Sequence, residues 1–142
     1  MNTWTHLPNA AHIDAVLADA KARPKVWNAA LDAAWSAARG AAWTAARDAA
    51  RDAAWTAARG AAWAAARDAA WTAARGAAWG AARDAARVAA QGAMCALIAW
   101  DESAALLDLT PDALRTIIST CDGDVKHQAV LLLPAVIARS TK

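Results

Sequence analysis

The sequence has no phenylalanine and no tyrosine, so every aromatic side chain available for burial is a tryptophan, and there are nine. Bulky core material is concentrated in one residue type, and whatever buries the tryptophans holds the fold. Cys95 and Cys121 are too few for a disulfide framework and stand near apolar residues, which predicts buried thiols in a reducing compartment. No uncharged apolar run reaches the roughly 18 residues of a membrane span. The opening MNTWTHLPNAAHIDAV has neither a basic region nor an apolar one, so a soluble, cytoplasmic protein is expected. Nor does one charge dominate: 15 basic residues against 13 acidic leave +2, too little to imply nucleic acid or an anionic membrane.

Catalytic signatures are missing as well. His6, His12 and His127 are scattered, and there is no HExxH, CxxC, GxSxG or phosphate-binding loop. CDGDVKH sets Cys121, Asp122, Asp124 and His127 in a suggestive order, but a capped turn explains it better. Asp101 and Glu102 are adjacent and point apart on a helix, so they make no acid–base pair. No enzyme activity, cofactor or metal is expected.

What the chain does contain is a repeat. From Trp27 to Ala90 run sixteen tetrads of the form (Trp/Arg)-x-Ala-Ala, with Leu31 the one other occupant of the first slot. The first slots alternate Trp and Arg in octads and slip by one tetrad at Arg51; the second slots hold mostly Asp, Thr and Gly. Alanine is the best helix former and arginine is close to it, so the region is predicted to be helical. Within 142 residues the organisation expected is one all-helical domain: an N-terminal cap over 1–26, the repeat over 27–90 and an apolar helical segment over 91–142.

A period of four differs from 3.6, and the mismatch shapes the packing. Each tetrad advances the stripe by about 40° around an α-helix, so no single face of a long straight helix holds all the tryptophans. A two-stranded supercoil following the stripe would need a pitch of roughly 54 Å, far tighter than the roughly 150 Å of ordinary coiled coils. Rows of residues four apart do form ridges that interlock obliquely over a few turns, with paired alanines allowing close approach. The fold class expected is therefore all-α, with Ala-rich repeat helices packed obliquely, solenoid-like or as a bundle, against the C-terminal apolar segment. Gly40, Gly60, Gly76, Gly80 and Gly92 are possible breaks. Without breaks, a helix from Pro24 to Leu107 would be a rod of about 126 Å in need of partners.

Outside the repeat the elements are conventional. A first helix, capped by Asn9, places Ile13, Val16, Leu17 and Ala20 on one face, and Pro24 begins the next. AMCALIAWDESAALLDL continues the repeat helically. Thr110 and Pro111 start a further helix. In the last helix Pro134 introduces a kink or a division, and Val130, Leu131, Leu132, Leu133, Val136 and Ile137 make it central to the core.

Burying one tryptophan is worth up to about 4 to 6 kcal/mol, against about 0.5 to 1 kcal/mol for an exposed Trp–Arg contact between residues four apart. Packing thus outweighs a cation–π ladder. Trp27, Trp35, Trp43, Trp55, Trp63, Trp71, Trp79 and Trp100 are the expected packing and interaction residues. Arg39, Arg47, Arg59, Arg67, Arg75 and Arg83 have no acid three or four residues away, so their partners are expected on other helices, with Asp48 and Asp68 as candidates. The function expected is structural or protein-interacting, with self-association or a protein partner covering outward tryptophans. The competing class is nucleic-acid binding, with arginines on phosphates and tryptophans on bases. Against it, the stripe winds, five aspartates dilute it, and no helix-turn-helix, zinc-finger or RNA-binding motif is present. Membrane adsorption is not expected, because the apolar residues do not keep to one face.

The tandem AAW and AAR units, with the closing ALIAWDESAALLDLTPDALR and AVLLLPAVIA, resemble the uncharacterised Ala/Trp/Arg-rich tandem-repeat helical proteins of actinobacteria and their phages. The resemblance implies a bacterial or phage origin and a place in the cytoplasm or in a phage or bacterial assembly. It implies no activity and no binding residues.

Overall fold

Alanine carries helix through the repeat, but not as one rod. The computed structural model describes residues 4–37, 40–56, 59–74 and 80–141, without the side chains of 73, 74, 81 and 82. The N-terminal helix α1 spans Ala10–Ala22; the repeat is divided among α2 (Pro24–Trp35), α3 (Gly40–Thr56), α4 (Gly60–Ala74) and the first half of α5 (Gly80–Ala99). A 3₁₀ helix at Asp101–Asp108, α6 (Pro111–Thr120) and α7 (Asp124–Ser140) follow. Three of the helices begin on glycine, at Gly40, Gly60 and Gly80, while Gly92 lies inside α5 and Gly76 falls outside the described residues.

The local signal for a break is the residue after arginine. Trp35-Ser-Ala-Ala-Arg-Gly40 and Trp55-Thr-Ala-Ala-Arg-Gly60 each straddle a boundary, whereas Trp43-Thr-Ala-Ala-Arg-Asp48 runs through the middle of α3. Glycine costs about 1 kcal/mol relative to alanine inside a helix, enough to weight a boundary without dictating it. Gly92 serves another purpose. A Cβ there would lie 2.7 Å from Cζ2 of Trp43, so its bare backbone is the seat of that ring.

The repeat helices gather on two others. α5 packs against α1, α2, α3, α4, α7 and the 3₁₀ helix, and α7 against α2, α3, α5, α6 and the 3₁₀ helix. α2 and α3 barely meet, and α3 meets α4 less than it meets α7. Packing thus converges on shared helices instead of passing from each unit to the next as in a solenoid. The reason lies in the sequence of α7, which is apolar all round: Ala129 to Val136 are all buried. Pro134 stays within it and does not divide it. On α3, which packs on α5 and α7, Ala46, Ala50 and Ala54 are buried, and on α4, which packs on α5 and α1, so are Ala62, Ala66 and Ala70. Ile13, Val16, Leu97, Ile98, Leu114 and Ile118 complete the core.

Two local expectations are corrected at the end of α5. Helix does not continue through Leu107: it stops at Ala99, Trp100 is extended, and a 3₁₀ helix takes over. Asn9 stands at the start of α1 but its side chain makes no cap there. Its buried Nδ2 instead donates to the carbonyls of Leu97 at 2.7 Å and Trp100 at 3.0 Å. Ser103 Oγ donates to Ala96 O at 3.0 Å and Trp100 O at 2.8 Å, and Arg59 Nη1 to Ile98 O at 2.8 Å. Carbonyls at this helix end are thus taken by two groups from distant parts of the chain and by one from the 3₁₀ helix that follows, and the helix terminates inside the core. Thr110, by contrast, caps α6 as expected, its Oγ1 accepting from Ala113 N at 3.1 Å.

Candidate functional site

The tryptophans divide by their position along each repeat helix. Trp27, Trp43 and Trp63 are each the fourth residue of their helix and are buried. Trp35, Trp55 and Trp71 stand near the other ends and are 40%, 61% and 46% exposed. The interval is two or three tetrads, which turns the side chain by about 80° to 120° around the helix. That rotation carries the second tryptophan off the face that the first one buries. Trp35 still meets Trp43 edge to face across the α2–α3 break, with centroids 5.9 Å apart and planes at 86°. Beside Trp35 lies an open cleft of about 510 Å³ lined by Asp32, Ser36 and Gly40. Trp100 is buried after α5, and Trp79 lies outside the described residues.

The arginines have several fates. Arg59 donates to the end of α5 and pairs with Asp101 at 2.7 Å. Arg83 and Arg87 of α5 lie over the Trp71 ring, 6.0 and 4.4 Å from its centroid, a cation–π contact between helices and not within one. Arg83 is also 3.9 Å from its neighbour Asp84. Arg47 and Arg67 are exposed and line a small cleft together with Asp48, Arg51, Trp63 and Gln91. Asp48 and Asp68 are exposed, and among the described residues neither is within ion-pair distance of an arginine. Arg39 and Arg75 lie outside the described residues.

A polar corner between α1 and α2 was not singled out from the sequence. Asp19 accepts from Arg23 Nε at 2.8 Å and Nη2 at 2.9 Å, and from the indole of Trp27 at 2.7 Å. Arg23 Nη2 also donates to the carbonyl of Ala138 at 2.9 Å, capping α7. Burial works to raise the Asp19 carboxyl, but the bonds from Arg23 and Trp27 outweigh it and hold it below the usual carboxylate range; the same contact raises Arg23. The spacing of four between Asp19 and Arg23 was a legible signal, whereas the reach to α7 was not. Trp4, also overlooked, is buried with its Nε1 on Asp14 Oδ1 at 3.0 Å.

Cys95 is a buried free thiol, pushed up by that burial, and Cys121 is a half-buried one. Around CDGDVKH, Gly123 adopts φ +75° and leads into α7, the turn expected there. Among the described residues no group of three or more His, Cys, Asp or Glu side chains is placed to hold a metal ion, and no helix is long and apolar enough to cross a membrane.

Comparison with protein-family models, curated proteins and solved structures finds no match. The functional reading therefore starts from the exposed tryptophans and the cleft beside Trp35.

Proposed function

We propose that the protein is a structural or protein-interaction module that self-associates through the tryptophan and alanine surface of its repeat helices. The observation that carries this reading is the set of outward tryptophans: Trp35, Trp55 and Trp71 expose large apolar rings although buried alanine rows lie on the same helices. Aromatic side chains presented at a surface are the anchors from which protein interfaces draw most of their energy. The cleft beside Trp35 supplies a concave surface of a size to receive such an anchor. The resemblance to repeat proteins of actinobacteria and their phages sets the proposal in a bacterial or phage assembly.

Nucleic-acid binding fits less well. Arg59 is engaged with Ile98 and Asp101, and Arg83 and Arg87 with Trp71, so among the described residues these three arginines are committed to contacts within the fold. Light scattering after gel filtration, from micromolar to near-millimolar protein, tests the reading. Self-association that weakens in Trp55→Ser and Trp35→Ser is the expected result; a monomer throughout the range overturns it.

A further inference from the structure

Three arginines that take part in no ion pair among the described residues meet in one place. Arg47 and Arg51 are one turn apart on α3, and Arg67 stands on α4 at the position equivalent to Arg47, the eighth residue of a helix that begins on glycine. Because both helices converge on α5, the equivalent arginines are brought together. Gln91 of α5, Asp48 and the edge of buried Trp63 complete the lining. The cleft measures about 60 Å³, room for roughly two water volumes and so for one small tetrahedral oxyanion. None of the three guanidiniums has a hydrogen-bond or ion-pair partner among the described residues, and Asp48 stays beyond ion-pair distance of all three. The lining thus carries three positive charges against one negative. Two of them act on the core: burial pushes the Cys95 thiol up, and the charges of Arg47 and Arg67 work in the opposite direction.

We propose that this cleft is a binding site for a phosphate group, either inorganic phosphate or the terminal phosphate of a small molecule. Guanidinium forks match the oxygens of a tetrahedral oxyanion, and each charge-assisted bond is roughly twice as strong as a neutral one. A bound dianion also relieves the mutual repulsion of three close cations. Trp63 contributes an apolar group to the lining, and Gln91 offers a neutral donor. The inference goes beyond self-association and does not depend on it, since the cleft lies away from Trp35, Trp55 and Trp71 in its lining.

The test is a titration of the full chain with inorganic phosphate, followed by thermal midpoint and by Trp fluorescence, against chloride at matched ionic strength. A saturable rise of the midpoint with phosphate and none with chloride is expected, because a ligand that binds the folded state alone stabilises it. Arg67→Gln and Arg47→Gln each weaken phosphate binding about tenfold or more, while Arg115→Gln, remote on α6 beside Asp112, leaves it unchanged. Arg51→Lys keeps the charge, removes the fork and lowers affinity less than the glutamine variants, which guards against a fold defect in those. Equal response of the wild type to phosphate and chloride overturns the proposal, and so does unchanged binding in Arg67→Gln. A single-stranded oligonucleotide that binds more tightly than phosphate and survives Arg67→Gln overturns it in favour of an extended nucleic-acid surface.

Discussion

The first turns and the last turns of the repeat helices are built from the same letters and meet opposite fates. Trp43 begins α3 and Trp55 ends it, each followed by Thr-Ala-Ala-Arg, yet one is buried against Gly92 and the other is the most exposed of the large hydrophobic side chains among the described residues. α2 and α4 repeat the division with Trp27 and Trp35, and with Trp63 and Trp71. The five residues Trp-Thr-Ala-Ala-Arg are the same at Trp43 and Trp55, and the next one, Asp48 or Gly60, is the first to differ. What separates them is accumulated rotation: a stripe advancing about 40° per tetrad stays on a core face for a turn or two and then leaves it. Restarting the helix near every twentieth residue resets the stripe, so that α2, α3 and α4 each seat one tryptophan and present another.

This contrast is open to direct attack. Trp43→Ala is expected to destabilise the protein by about 3 to 5 kcal/mol in urea unfolding, the usual cost of emptying a buried tryptophan site. A loss below about 1 kcal/mol would show that the first turns do not carry the core. Gly92→Ala places a methyl against the Trp43 ring and is expected to cost about 1 to 3 kcal/mol, read by the same measurement. Asp19→Asn removes the charge and one of the two carboxylate oxygens that accept from Arg23 and Trp27, and is expected to cost about 1 to 2 kcal/mol at neutral pH. Its pH dependence is the sharper readout. The folded carboxyl sits below its usual value of about 3.9, so the unfolded chain binds more protons, and this share of stability is present above that value and lost as pH falls through the folded one. Acid unfolding of Asp19→Asn should lack that share of the slope. Gly40→Ala meets nothing within 4 Å and is expected to raise stability by about 0.4 to 1 kcal/mol; a decrease would mean that the α2–α3 break requires glycine itself. Smallest of all, Trp55→Ala should change the stability of the monomer by no more than about 0.5 kcal/mol while weakening any self-association.

Much of the architecture was readable in advance. The helical character of the repeat, the start of α6 at Thr110 and the central place of the last helix each follow from propensity, capping chemistry or an all-round apolar pattern. The end of α5 was not readable, because its Leu97 and Ile98 carbonyls are taken by Asn9 and Arg59, groups that nothing in the local pattern connects with them. Asn9 has the chemistry of an N-cap and sits where one belongs, and still its amide serves another helix. The arginine cleft was likewise hidden. Arg47, Arg51 and Arg67 look like their repeat neighbours until α3 and α4 are laid on the same partner.

By itself the sequence determined that the chain is helical, that tryptophan supplies its aromatic core and that a period of four winds the Trp/Arg stripe around every repeat helix. These follow from backbone propensity and from the arithmetic of 3.6 residues per turn, which depend on neighbours a few residues away. Tertiary structure decided which tryptophan of each pair turned inward and which arginines were left without partners among the described residues. Those outcomes depend on burial against α5 and α7, and an identical tetrad has no knowledge of what stands across from it until the helices have met.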